Sequence, residues 1–313
     1  MISAGGGGHT GYGYALAQRL YDKVSLRFLV PEGDALSQER LRRFGNVDFL
    51  LKPRGAKTPI FEFIPRMAKA FAESYDRVPG EYDVMVSTGS NFCIPPALLA
   101  RVKGIPIINI ESSVRFTKAS KTARILQPFS AITALQWDEQ KRLLKKGVVV
   151  GPLLPEPEVK PWNGGYVLVT GGTLGHKLLF DAISESGLEN VVLQTGQVDP
   201  EPYRRKHPEW RILPFSTRFY ELVAGADLVV THFGSTALEA AVYRKQMVLV
   251  LNPEWKRTVG KTDAEIFAEK VNGVLIWDVG LENLFRAMEE AKSKETPFFE
   301  NGAKKLAELI LTL

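Results

Sequence analysis

Tyr166-Val167-Leu168-Val169-Thr170-Gly171-Gly172-Thr173-Leu174-Gly175-His176 is the stretch that decides the fold of this chain. An apolar run of strand character ends in a glycine-rich turn, and a helical pattern follows. Glycines there let backbone N–H groups approach an anion with no Cβ in the way. The helix N-terminus adds its partial positive charge. A second such turn, Gly5-Gly6-Gly7-Gly8-His9-Thr10-Gly11, follows a first strand cut very short. Two phosphate-cradle signatures, one opening each half, predict two doubly wound α/β domains facing each other across a ligand cleft. That architecture belongs to enzymes more often than to scaffolds.

Outward from these turns, short β-branched runs alternate with helical periods, the mark of parallel sheets. In the first half, strands are expected at Val24–Val30, Val47–Leu51, Tyr82–Ser87, Ile105–Ile110 and Ala131–Leu135. Helices are expected at Gly11–Leu20, Asp34–Phe44, Ile60–Tyr75 (interrupted by Pro65) and Pro95–Lys103. In the second half, strands fall at Tyr166–Thr170, Val191–Gln194, Arg211–Leu213, Asp227–Thr231, Met247–Leu251 and Val274–Ile276. Between the halves, Gly151 to Pro161 holds four prolines in eleven residues, a stiff linker. The expected domains are 1–152 and 166–313 with a linker at 153–165. The amphipathic tail Asn301 to Leu313 packs back on a domain, the first one being open to it.

The bulk numbers exclude several classes. No run approaches the ~20 apolar residues of a membrane span, and no basic-then-apolar leader opens the chain. One cysteine, Cys93, leaves no intrachain disulfide and fits a reducing, cytoplasmic compartment. The net charge of +5 comes with no basic tail and no aromatic-interleaved basic motif, so nucleic acid is not an expected partner. Basic clusters at Arg40–Arg43, Arg115–Arg124 and Lys141–Lys146 all lie in the first half. They fit a solvated surface, an anionic membrane face or a phosphorylated ligand, and they make the first half the likelier one to face a membrane.

Three segments carry candidate chemistry. His9 falls at or near the first turn of a helix, beside the glycine turn, where an imidazole can take a proton from an attacking hydroxyl. Asn109-Ile110-Glu111-Ser112-Ser113-Val114-Arg115 ends a strand, at the sheet edge that faces ligands, so Glu111 and Arg115 are placed for substrate. His232-Phe233-Gly234-Ser235-Thr236-Ala237-Leu238-Glu239 follows another strand. Gly234 allows close backbone approach, Ser235 and Thr236 suit a diphosphate, and Glu239 can accept both hydroxyls of a ribose. Ser235 or Thr236 with Glu239 also fits a helix capping box. There is no Asp-x-Asp pair and no His/Cys cluster, so neither metal nor cofactor is expected.

Taken together, the motifs resemble a fusion of the two subunits of the eukaryotic dolichol-linked N-acetylglucosaminyltransferase. More distantly, they are similar to the bacterial lipid II glycosyltransferase; both are of the GT-B class. In the first half the resemblance rests on residues 6–11, Ile110–Arg115, Leu135-Gln136-Trp137 and Gly151-Pro152-Leu153. In the second it rests on Val169–Thr173, Gln194-Thr195-Gly196, Phe233–Glu239, Asn252 and Asp263-Ala264-Glu265. It implies an inverting transfer of GlcNAc from UDP-GlcNAc to a polyprenol- or dolichol-pyrophosphate sugar, in N-glycan or surface-glycan assembly. His9 is the implied base, with Glu111 as orienting carboxylate or base. Gly6, Gly7, Gly8, Thr10 and Arg115 would hold the acceptor. Gly171, Gly172, Thr173, Phe215, His232, Gly234, Ser235, Thr236, Glu239 and Asp263 would hold the donor. The chain would sit peripherally at the cytoplasmic face of the membrane. By its own residues, Lys57 to Phe71, with Ile60, Phe61, Phe63, Ile64 and Met67, is the candidate segment for that contact, and it reads equally as an ordinary core helix.

The chain departs from the pattern in three places. Tyr12 stands where the family commonly has Glu. Lys261-Thr262-Asp263 stands where the donor subunit commonly has Asn-His-Gln, which leaves the donor sugar open. The eukaryotic acceptor subunit's N-terminal anchor has no counterpart, so membrane contact would be peripheral. Rival readings are a transferase of glucuronic acid or glucose in polysaccharide assembly, a UDP-GlcNAc 2-epimerase, and a non-enzymatic nucleotide-sugar sensor.

Overall fold

The computed structural model describes residues 1–55, 58–253 and 259–313. The chain divides into two compact units, Met1–Pro155 with Glu300–Leu313, and Glu156–Phe299. The expected linker is thus split at Pro155/Glu156, and the last helix belongs to the first unit rather than to a second domain running to residue 313.

The first unit runs β1 (Ile2–Ser3), α1 (Gly8–Leu20), β2 (Arg27–Pro31), α2 (Ala35–Leu41), β3 (Asn46–Leu50), α3 (Ile60–Arg77), β4 (Met85–Ser87), α4 (Ile94–Val102), β5 (Ile107–Ile110), α5 (Lys121–Leu126), β6 (Ser130–Leu135) and β7 (Val148–Val149). Its strands pair in parallel in the order β3-β2-β1-β4-β5-β6-β7. β1 therefore lies between β2 and β4, with Ile2 opposite Phe28 on one side and Val86 on the other. The order reverses at β1/β4, which puts the ligand crevice of a doubly wound sheet over the loops after those two strands. Met1, Leu29, Leu50, Met85, Phe92 and Ile107 form the core beneath.

The second unit repeats the plan with β8 (Val167–Thr170), α6 (Lys177–Ser184), β9 (Val191–Gln194), α7 (Glu201–Lys206), β10 (Arg211–Leu213), α8 (Phe219–Gly225), β11 (Leu228–Thr231), α9 (Ser235–Val242), β12 (Met247–Val250), α10 (Lys261–Val271), β13 (Val274–Ile276) and α11 (Leu281–Lys292). The strands are parallel in the order β10-β9-β8-β11-β12-β13. The switch falls at β8/β11, so Gly171–His176 and His232–Gly234 are the loops at its crevice.

One sequence expectation changes for a physical reason. Pro65 lies inside α3 and does not break it. Its ring is on the solvent side, so one missing ladder donor is tolerated. The tail helix α12 (Gly302–Ile310) is seated on the Gly151-Pro152-Leu153 segment. Gly302 N–H donates to the Pro152 carbonyl at 2.9 Å, and a Cβ on Gly302 would meet the Gly151 carbonyl oxygen at 2.1 Å. Asn301 caps α12 and donates to the Leu154 carbonyl at 2.9 Å.

Candidate functional site

In the first unit the glycine turn feeds straight into a helix that begins at Gly8, three residues earlier than the pattern suggests. Gly6 and Gly7 take φ of 85° and 57°, the left-handed region that favours glycine. Gly7 and Gly8 are exposed, and the opening N–H groups of a helix have no partner within it. His9 sits in that first turn. Its Nδ1 donates to the Thr88 carbonyl at 2.6 Å. A carbonyl can only accept, so the proton is on Nδ1 and Nε2 keeps its lone pair. Burial holds the ring neutral by lowering its pKa to about 4; the Thr88 bond opposes this, while the charges of Lys52 and Arg115 add to it. A neutral imidazole with one nitrogen anchored and the other basic is the arrangement of a general base.

The ring is fitted against the β4 loop. A Cβ on Gly89 would lie 3.0 Å from His9 Cε1 and 3.1 Å from Nδ1. Ser90 follows with φ 68° and ψ 164°, a region nearly exclusive to glycine that costs about 1–3 kcal/mol. Its buried Oγ has no hydrogen-bond partner and faces Gly5, whose missing Cβ would fall 2.2 Å from it. The sequence marks Thr88-Gly89-Ser90 only as a strand end. Its role as the second wall of the site depends on β4 pairing with β1, which no local pattern encodes.

Glu111 is fully buried. One carboxylate oxygen accepts from Ser112 N–H at 2.7 Å and the other from Ser120 N–H at 2.8 Å. Burial raises its pKa, against the pull of those N–H groups and of Arg115. Of the two roles open to it, the geometry supports orientation of the 111–120 loop rather than proton transfer at a substrate. The same loop is held by the other first-half motifs. Gln136 donates to the Glu111 carbonyl at 2.8 Å, Trp137 Nε1 to that of Ser113 at 2.7 Å, and Gln140 to those of Ser112 and Arg115 at 2.8 and 2.9 Å. Gln136 Oε1 in turn accepts from Leu153 N–H at 3.0 Å. Tyr12 joins this scaffold: its hydroxyl lies 2.9 Å from Ser113 Oγ and accepts from Ser113 N–H at 3.0 Å. The half-buried Arg115 is what the loop presents beside His9.

Thr10 is 2% exposed, and its hydroxyl lies 2.6 Å from Ser37 Oγ, tying α1 to the capped start of α2.

In the second unit the glycine turn is locked by close backbone approach. A Cβ on Gly171 would stand 2.5 Å from His176 N, and one on Gly196 would stand 2.4 Å from the Gly172 carbonyl oxygen. Gln197 N–H donates to the Thr173 carbonyl at 3.0 Å, and Thr170 Oγ1 bonds Gln194. The Val169–Thr173 and Gln194–Gly196 motifs are thus one interlocked piece. Gln194 Nε2 and Gly196 N–H both reach the Pro214 carbonyl, at 2.6 and 2.9 Å, which fixes the segment carrying the exposed Phe215. Asn252 donates to the Gly175 carbonyl at 3.4 Å.

Gly234, at φ 122°, is the N-cap of α9 and makes no side-chain cap bond. The capping box expected at Ser235 or Thr236 with Glu239 is therefore absent. Ser235 and Thr236 instead occupy the first turn, half-buried at the helix start. Glu239 and Asp263 are buried, the latter in the first turn of α10. The ring of His232 is buried, donates from Nδ1 to the Val250 carbonyl at 3.1 Å and packs edge-on to Phe233 and His176. Among the described residues, no group of three or more His, Cys, Asp or Glu side chains is gathered as metal ligands.

Comparison with known proteins agrees with this layout. Residues 166–310 match the glycosyltransferase family 28 C-terminal domain. The UDP-N-acetylglucosamine–N-acetylmuramyl-(pentapeptide) pyrophosphoryl-undecaprenol N-acetylglucosamine transferase of Trichodesmium erythraeum is 27% identical over 218 residues. That match covers 64% of this chain and 57% of the relative. The same enzyme of Gloeothece citriformis is 24% identical over 86% of this chain and 79% of its own length. Acinetobacter baumannii MurG has the same fold, with a TM-score of 0.65 and 19% identity over 100% of this chain and 99% of its own. So has the UDP-GlcNAc 2-epimerase of Methanocaldococcus jannaschii, at 0.66 and 14% over 100% and 99%. The fold is GT-B, and residues 166–310 are similar to the family 28 C-terminal domain.

Proposed function

We propose that this protein is an inverting N-acetylglucosaminyltransferase. It moves GlcNAc from UDP-GlcNAc to a hydroxyl of a sugar carried on a polyprenol or dolichol pyrophosphate, in surface-glycan or N-glycan assembly. The observation that carries the reading is His9, anchored through Nδ1 to Thr88 with Nε2 left basic at a glycine turn. The lipid-intermediate transferases among its sequence relatives support the substrate class.

In the reaction, His9 Nε2 takes the proton of the acceptor hydroxyl as its oxygen attacks the anomeric carbon. The bond from that carbon to the UDP oxygen breaks, and attack from the face opposite UDP inverts the configuration. The turn Gly171-Gly172-Thr173 and the α9 start, Gly234-Ser235-Thr236, bind the leaving diphosphate and take up its charge. Phe215 lies at the uracil, Glu239 at the ribose and Asp263 at the sugar. The acceptor diphosphate sits at Gly6–Gly8 and Arg115, where its negative charge offsets the cost of forming an imidazolium beside a guanidinium.

Membrane contact is peripheral, at the cytoplasmic face, through α3. Phe61 and Ile64 are 75% and 76% exposed one turn apart, with Lys69 on the same helix. Lys57 and the side chain of Ile60 lie outside the described residues.

Product analysis tests the reaction. Incubation with UDP-GlcNAc and a GlcNAc-pyrophosphate-polyprenol analogue should give a disaccharide lipid with β linkage from the α-linked donor. Retained α configuration would contradict direct displacement. Transfer only from UDP-glucose or UDP-glucuronic acid would move the donor, as Lys261-Thr262-Asp263 allows. The likeness to 2-epimerases favours a second reading, in which UDP-ManNAc accumulates without any lipid acceptor.

A further inference from the structure

Lys52 takes no part in the proton transfer or in the diphosphate contacts proposed for this chain, yet the fold holds it in one place. It follows β3, two strands away from β1 in the sheet, and its Nζ donates to the Gly5 carbonyl at 2.9 Å. A Cβ on Gly6 would stand 3.6 Å from that ammonium and 2.9 Å from Asp34 Oδ2. The lysine head therefore lies directly against the glycine turn.

Its backbone is fixed on several sides. Leu51 N–H donates to Glu73 at 3.0 Å, and the Lys52 carbonyl accepts from Arg66 at 3.1 Å. Arg54 exchanges two bonds with the Asn91 amide, both 3.3 Å, which staples this loop to the β4 side of the crevice. Holding a flexible four-carbon stem in one place and partly removing its charge from water both cost free energy. The Gly5 carbonyl takes one of the ammonium's three donors. The facing carboxylate, Asp34, is committed to capping α2 through Ser37 N–H and Oγ, at 3.0 and 2.7 Å. His9 feels the positive charge of Lys52 as well as that of Arg115, so two cations from different loops act at one turn.

We propose that Lys52 is an acceptor-binding residue. Its ammonium, with the N–H groups at the start of α1, takes the diphosphate of the lipid-linked acceptor. A point charge beside glycine-turn N–H groups is a general solution for phosphate binding. The assignment rests on the first unit being the acceptor domain.

The test compares the full-length protein with Lys52→Met, which keeps the aliphatic stem, and Lys52→Gln, a second charge-free variant. Inorganic pyrophosphate is titrated first, followed through the imidazole NMR signals of His9, which needs no turnover. The wild type should give a saturable shift. Either folded variant should bind pyrophosphate about 10- to 100-fold more weakly, the scale of one charged hydrogen bond. The KM for the GlcNAc-pyrophosphate-polyprenol analogue should rise by a similar factor, with the KM for UDP-GlcNAc unchanged.

A lysine that only braces the Gly5 carbonyl would lower the melting temperature and leave pyrophosphate affinity intact; that result overturns the proposal. So does a wild type that gives no His9 response. A rise in the KM for UDP-GlcNAc in place of that for the acceptor also overturns it, since the diphosphate would then be the donor's. If no sugar is transferred at all, the transferase reading fails, and the pyrophosphate titration still decides whether Lys52 is a diphosphate ligand.

Discussion

His9 is the proposed base, and its environment makes two predictions. A ring held neutral by burial, with a pKa lowered to about 4, is an active base until it protonates. The kcat/KM of the free enzyme should therefore stay level as pH falls from 8 and drop only as it passes through about 4. A break near 6.5 in the pH profile would mean that the ring is solvated like an ordinary histidine. The second prediction concerns Gly89, at φ 97° with no room for a methyl beside the imidazole. Gly89→Ala should displace the ring and lower kcat by roughly 10²-fold, the scale of a 1 Å misplacement. Steady-state kinetics beside a melting curve separate that loss from unfolding. His9 itself is legible in the sequence, because four glycines before it announce an anion turn. Thr10 and His232 show what spacing leaves open: a polar side chain next to a ligand loop can point into the fold, and neighbour spacing does not say which way.

Elements explain why scattered motifs belong together. Glu111, Gln136, Gln140, Trp137 and Leu153 are spread over forty-odd positions, yet they make one hydrogen-bonded frame under the loop that carries Arg115. Gln140→Ala should leave the Ser112 and Arg115 carbonyls without their donor. We expect about 1–3 kcal/mol lower stability by urea unfolding and a raised KM for the acceptor. Strands were legible because buried parallel strands are short apolar runs. β7 and α5 were not, since two residues and six residues leave too little periodicity to read. Pairing was not legible either, and so neither Lys52 nor Ser90 could be joined to the first turn in advance. The α3 helix makes its own prediction. Phe61→Ser with Ile64→Ser should weaken binding to anionic vesicles at least about tenfold. Turnover of a short-chain, water-soluble acceptor should not change. Unaltered vesicle sedimentation would remove α3 as the membrane face.

Across the whole chain, one α/β plan is used twice, and each copy puts its glycine turn at the strand-order reversal. The second copy stores a stability signature in His176 and His232, both buried and both lowered to about 4 by burial, with the charge of His232 adding to the shift at His176. Unfolded, they would take protons near 6.5, so the unfolded state binds more protons between pH 6.5 and 4. Stability is full above 6.5 and is lost as pH falls toward 4, by roughly 2–3 kcal/mol for each ring. The urea midpoint should follow that curve, and His232→Phe should flatten it; an unchanged slope would mean that the pair is hydrated. The central claim is that His9 drives sugar transfer onto a lipid-linked acceptor. The direct measurement is radiolabelled transfer from UDP-GlcNAc to a GlcNAc-pyrophosphate-polyprenol analogue by the wild type and by His9→Ala. The account predicts transfer by the wild type and a loss of about 10²-fold or more in a variant that still folds and still binds UDP-GlcNAc. Equal rates in the two proteins would contradict it.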